Sequence, residues 1–315
     1  MRALPTTGLL LLTLSACSAS VSSPGESDAD AVTQTTAVIT FERVTTASEG
    51  RDVVRGAAAA RFVQSRAGNA GATQGVDERA LKLVGAAFDP PPVLGCITLG
   101  DEADSTGGRA IELADVGSLQ VQALPNASPN ASPNGSSNGD TRGAGKPFAL
   151  VPRQVPDPVG LVGGVLYYAP STDSSQVQPG ARYAVRAAGS PGVPAFELTG
   201  TSPLEVADVR VTAHGSGALD VAWSTPDLGK DSGDVFFVDV VSPRASGSSS
   251  ASGGGGLVRC AADASGAALP SSAFVADEVT LAVHRVHRER ARANGRLESS
   301  ELRFDFSRVV TFTRR

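Results

Sequence analysis

The chain has 315 residues, with 27 Lys and Arg against 32 Asp and Glu, a formal net charge of −5 and 41 % hydrophobic residues. That apolar fraction suffices for buried cores and excludes wholesale disorder, while the mildly acidic balance argues against nucleic acid or anionic headgroups as partners. The length suggests two domains, and the 35 Gly and 20 Pro must collect in particular loops.

The chain opens with Met1-Arg2-Ala3-Leu4-Pro5, continues through the apolar run Gly8 to Leu14, and reaches Ser15-Ala16-Cys17. One cation, a short apolar run and then small residues are the layout of a secretory signal peptide, with a core too short to cross a bilayer. The run Leu14-Ser15-Ala16-Cys17 resembles the lipobox of bacterial lipoproteins. The resemblance implies a signal peptide over residues 1–16, cleavage before Cys17, and a diacylglyceryl group on its thiol. Each buried methylene contributes about 0.8 kcal/mol, so the two or three acyl chains of that family anchor a protein durably. Ser18 stands where enteric relatives carry an inner-membrane retention aspartate. Its identity points to the outer membrane if the cell has one, and otherwise to the exterior of the cell membrane. No later apolar run reaches the length of a membrane span.

Residues 17–36 are mostly small and polar and read as a lipidated, flexible tether spanning roughly 25 Å by random-coil scaling. A first domain is expected over 37–202. Its strand candidates are Ala37 to Val44, Val93 to Leu99, Ala110 to Leu113, Ser118 to Ala123, Phe148 to Val155 and Val162 to Tyr168. Between the first two of these, residues 45–92 contain Ala57 to Val63 and Glu78 to Phe88, either of which suits a short helix. Residues 125–146 form a low-complexity insert expected to be a mobile loop. Its sequons at Asn126, Asn130 and Asn134 read as by-products of the repeat. Gly163-Gly164 suggests a bulge or a close backbone approach. Pro179-Gly180 feeds a strand in which Tyr183, Val185 and Ala187 share a face. That stretch resembles the tyrosine corner of fibronectin type III and bacterial Ig-like domains. The resemblance implies a core ring whose hydroxyl bonds the turn backbone.

A second domain is expected over 203–315. Its strands are Leu204 to Ala213, Ala218 to Ser224, Val235 to Val241, Leu257 to Ala261, Val279 to His287 and Leu302 to Thr313. Leu219, Val221 and Trp223 alternate with polar residues, resembling an early strand of the same sandwiches, and Trp223 reads as a core anchor. In the last strand Leu302, Phe304, Phe306, Val310 and Phe312 fall on one face. Ser246 to Gly256 reads as a loop tip, and Arg288 to Ser300 as a charged loop. Short strands between Gly/Pro turns give an all-β fold of two antiparallel Ig-like β-sandwich domains.

Signatures of chemistry are sparse. No G-x-S-x-G stands at a strand-to-helix turn as a nucleophile elbow would, and Gly143-Ala144-Gly145-Lys146 lacks the other features of a phosphate loop. His284 and His287 form H-x-x-H, but on a strand that spacing sends them to opposite faces. They read as solvated polar positions among Arg285, Arg288 and Arg290. Neither Asp227, Asp231 and Asp234 nor Asp101, Glu102 and Asp104 fits the calcium-loop pattern. Tyr167-Tyr168 is a thin candidate for a sugar-stacking platform. No catalytic residue, metal ligand or cofactor is assigned. Cys96 and Cys260 lie in strand-like runs of different expected domains, which favours two buried free thiols over an interdomain disulfide.

The expected function is therefore a lipid-anchored extracytoplasmic binding or structural protein of the bacterial envelope, meeting the membrane through Cys17 and an envelope protein or glycan through its body. The alternative is an envelope hydrolase with a non-standard site in the loops or in residues 45–92.

Overall fold

The computed structural model describes residues 34–48, 50–65, 84–85, 88, 90–91, 95–99, 111–125, 145–156, 162–172, 175–215, 217–227, 233–241, 257–273, 278–291 and 297–313. The leader with Cys17, the tether up to residue 33, most of the 125–146 insert, the Ser246–Gly256 tip, Asp231 and the Asp101–Asp104 cluster lie outside them.

The first half of the chain supplies β1 (Gln34–Ser48), β2 (Arg51–Ser65), β3 (Cys96–Leu99), β4 (Ile111–Leu113), β5 (Leu119–Leu124), β6 (Phe148–Val155), β7 (Val162–Thr172), β8 (Arg182–Ala187) and β9 (Phe196–Thr201). The second half supplies β10 (Ala207–Ala213), β11 (Leu219–Ser224), β12 (Val235–Val241), β13 (Leu257–Ala262), β14 (Gly266–Leu269), β15 (Glu278–Ala291) and β16 (Leu297–Thr313). A single 3-10 turn at Ser271–Ala273 is the only helical element among the described residues. The fold is all-β, as the alternating sequence patterns require.

Thirteen strands form one sheet in the order β3-β13-β12-β15-β16-β1-β2-β4-β7-β6-β5-β8-β9, with β10-β11-β14 as a separate sheet. Most neighbours are antiparallel, but β1 runs parallel to β16 and β4 parallel to β7. The β9 end returns onto β15, where the Thr201 amide donates to Glu289 Oε2 at 2.7 Å. Val32–Arg315 is one compact unit.

Its apolar residues collect in two principal cores. The first joins Ile39 and Phe41, Ala58 and Phe62, Tyr183 and Val185, and Phe304 and Phe306. The second joins Leu219, Val221 and Trp223 to Val238, Val240, Cys260, Leu281 and Val283, with Val310 and Phe312 packed against it. The expected boundary at residues 202 and 203 falls between β9 and β10, yet it does not divide the large sheet. β16 serves the first core with Leu302 to Phe306 and the second with Val310 and Phe312.

Two local expectations are corrected. Ala57 to Val63 is strand, not helix: alanine favours a helix only weakly, and this segment pairs with β1 on one side and β7 on the other. The charged stretch Arg288 to Ser300 is not simply a loop, because β15 extends to Ala291 and β16 begins at Leu297. Their polar side chains are accommodated by ion pairs described below. Gly164 makes the close approach its position suggested. Its φ is +111°, and a Cβ there would lie 2.0 Å from the Leu113 carbonyl oxygen, so no other residue fits without moving β4.

Candidate functional site

The corner residue behaves as its surroundings dictate. Pro179-Gly180 turns with Gly180 at φ +67°, and β8 then carries the Tyr183 ring into the first core. The hydroxyl accepts from the Gln178 amide at 2.5 Å and donates to the Gln176 carbonyl at 3.2 Å. Burial pushes this phenol up to about 12, opposed by the Gln178 amide and by Arg43. Tyr167 is likewise fully buried, with its hydroxyl on Asp115 Oδ1 at 2.5 Å and the Val116 amide at 2.9 Å. The pair Tyr167-Tyr168 is therefore no stacking platform; Tyr168 alone is exposed, opposite Val151. Trp223 is 6 % exposed and belongs to the second core.

The main concentration of ionisable groups lies on the sheet face opposite the cores. Register brings Glu42 of β1 opposite Asp305 of β16, His284 of β15 opposite Phe237 of β12, and Asp239 opposite Arg259 of β13. Arg259 grips Asp239 with two hydrogen bonds of 2.8 Å. His284 Nδ1 lies 2.8 Å from Asp305 Oδ1, and its Nε2 lies 3.5 Å from Asp239 Oδ2. Its ring stacks on Phe237 at 4.5 Å, with the Arg259 guanidinium 4.1 Å from the same ring centroid. Further along this face Glu301 accepts from Arg288 at 2.5 Å and from Arg303 at 2.9 Å. Both guanidinium groups sit over Phe88, at 5.4 and 5.2 Å.

The geometry decides what His284 can do. Asp305 hydrogen-bonded at Nδ1 and the Asp239 carboxylate 3.5 Å from Nε2 both favour the protonated imidazole. Burial pushes its pKa down, but Asp305 and Asp239 outweigh burial and the opposing Arg259, so the net direction is upward from 6.5. The ring's role is to hold β12, β15 and β16 together. Because the folded state binds this proton more tightly than the unfolded chain, the stabilisation is complete below pH ~6.5 and is lost as pH rises through the raised value. The stability difference between the natural chain and His284→Gln should therefore shrink as pH rises above that range, measured by urea titration. A difference unchanged from acid to alkaline pH would show that the proton is not held.

His287 occupies the other face, as strand geometry requires, with Nδ1 2.6 Å from Asp234 Oδ1. Asp234 also accepts from Arg285 Nε at 2.6 Å, and Arg285 donates to the carbonyls of Leu204 and Pro226 at 3.0 Å each. Arg285 is only 3 % exposed, and the two histidines, expected as solvated positions, are instead largely buried ties to Asp305 and Asp234. Nearby Arg43 bonds Glu205 and donates to the Val177 carbonyl at 2.7 Å. Together these ions clamp the 202–206 connection between the two cores. Asp227 sits in a turn at φ +60°. Among the described residues no group of three or more His, Cys, Asp or Glu is arranged to hold a metal ion.

The expectation of two free thiols is corrected. Cys96 and Cys260 form a disulfide across the directly opposed pair of β3 and β13, with Cα atoms 4.0 Å apart. The argument from separate domains failed because β3 leaves the first core altogether and adds to the far end of the sheet beside β13.

No protein-family model matches the chain, and no curated protein matches it. Among solved structures, the FN1–FN3 domains of chicken CNTN1 align at 14 % identity over 82 % of this chain and 78 % of that one, with a TM-score of 0.19. A TM-score that low carries no argument about this chain, and its all-β architecture rests on its own sheets.

Proposed function

We propose that this chain is a lipid-anchored extracytoplasmic binding or structural protein of the bacterial envelope, built from two Ig-like sandwiches joined by shared strands. The Cys96–Cys260 bridge is the observation that supports export most directly, since disulfides persist in oxidising compartments. It agrees with the independent lipobox-like run Leu14-Ser15-Ala16-Cys17 at the start of the chain. A structural or binding role is supported by the imidazoles of His284 and His287, which are committed to carboxylates that tie strands together. On this reading the lipid on Cys17 meets the membrane, nucleic acid is not a partner, and the folded body presents its loops to an envelope protein or glycan. No cofactor is called for.

Cys17→Ser tests the anchor. In bacterial cells the natural chain should partition into detergent and carry a processed N-terminus at Cys17, whereas the variant should accumulate as an uncleaved precursor. Normal cleavage of the variant, with release as a soluble protein, would overturn the lipid anchor while leaving export intact.

A further inference from the structure

We infer that β3 is a redox latch: the oxidised Cys96–Cys260 bond holds it on the β13 edge, and two-electron reduction releases it while the rest of the sheet persists. β3 has four residues and a single strand neighbour, at the end of the thirteen-stranded sheet. β2 and β4, which precede and follow it in the chain, are hydrogen-bonded to each other. Between β2 and β13 lie β1, β16, β15 and β12. β3 thus lies far across the sheet from its neighbours in the chain, and closing the connections to it costs loop entropy.

What β3 gains in return is modest. Cys96, Ile97 and Leu99 are only partly buried and Thr98 is exposed, so little apolar surface leaves water. Its ladder spans Cys96 to Leu99 against Leu257 to Cys260, extended by the Ala261 amide donating to the Gly95 carbonyl at 2.9 Å. The covalent bond therefore supplies what a short edge strand lacks. Cys260 is 1 % exposed in the second core, whereas Cys96, packed against the same core, is only partly buried. A dithiol reductant reaches the bond from there: its thiolate attacks Cys96 Sγ and expels the Cys260 thiolate. Its second thiol then closes on its own sulfur and expels the Cys96 thiolate. Both cysteines take up protons, and the reagent leaves as a cyclic disulfide. Opening leaves the outer backbone groups of β13 unpaired, a template for another extended segment.

Hydrogen exchange on the full chain, before and after treatment with dithiothreitol under native conditions, tests this, with thiol titration confirming the gain of two thiols. The Ala261 amide and the other β13 amides facing β3 should exchange on the order of 100-fold faster after reduction, as a local opening, while β15 and β16 stay protected. Unchanged β13 exchange with both thiols titrated would show that β3 holds without the bond. Faster exchange in every strand would make the bond a staple of the whole fold, and either outcome overturns the latch. A variant carrying Cys96→Ser and Cys260→Ser should show the open pattern without reductant; if it does not fold, reduction of the folded chain still decides. The exchange result is independent of the Cys17 fractionation, so the latch and the anchor fail separately.

Discussion

Replacing Asp234 with alanine is expected to cost about 3–5 kcal/mol, because it strands a buried cation. The Asp234 carboxylate has no exposed side-chain surface and Arg285 is 3 % exposed. The two carbonyls that Arg285 also meets satisfy its donors without neutralising its charge. Urea denaturation near neutral pH measures the loss. Asp234→Asn keeps an acceptor for Arg285 and should cost less than alanine, and leucine at both 234 and 285 should recover much of the deficit. A loss under about 1 kcal/mol for the alanine variant would place this pair with surface ion pairs. The same carboxyl sets a pH dependence. Burial pushes its pKa up, but His287 and Arg285 hold it below its ordinary 3.8. Its stabilisation is thus complete above that value and disappears as pH falls through the lowered one.

The second large effect is expected at Phe304, where alanine should cost about 3–5 kcal/mol. The ring is fully buried, stacked on Phe41 at 5.0 Å and packed against Tyr183 at 5.8 Å and Phe306 at 6.4 Å. It therefore joins β1, β8 and β16 at the point where the parallel β1–β16 pair meets the corner strand. Trp223 is the only tryptophan and lies in the other core, so its fluorescence follows that core separately. Because β15 and β16 run through both halves of the large sheet, Phe304→Ala should shift the fluorescence transition as far as the circular-dichroism transition. Two separated transitions would mean that the cores melt independently.

Much of the local structure was legible. Phe148 to Val155 is β6 residue for residue, and the alternation at Leu219, Val221 and Trp223 is the buried face of β11. The Tyr183 corner follows from a Pro-Gly turn leading into an alternating strand, since only the hydroxyl of such a ring reaches back to the turn. The candidate site was less visible. Asp239 interrupts an otherwise apolar strand, and Arg285 stands in the middle of β15. A charge inside a strand signals a partner, but the partners lie 20 residues away at Arg259 and 51 residues away at Asp234.

The sequence by itself determined that this is an all-β chain with a tyrosine corner and a buried tryptophan, because each depends on neighbouring residues. Only the tertiary structure decided that β1 lies parallel to β16, that β3 joins β13, and that Cys96 is therefore bonded to Cys260. The physical reason is that period-two patterning records which face of a strand is buried and carries no information about the neighbour across the ladder. That choice is made by the packing of the whole sheet. The same packing drew Ala57 to Val63 into β2 against its weak helical preference.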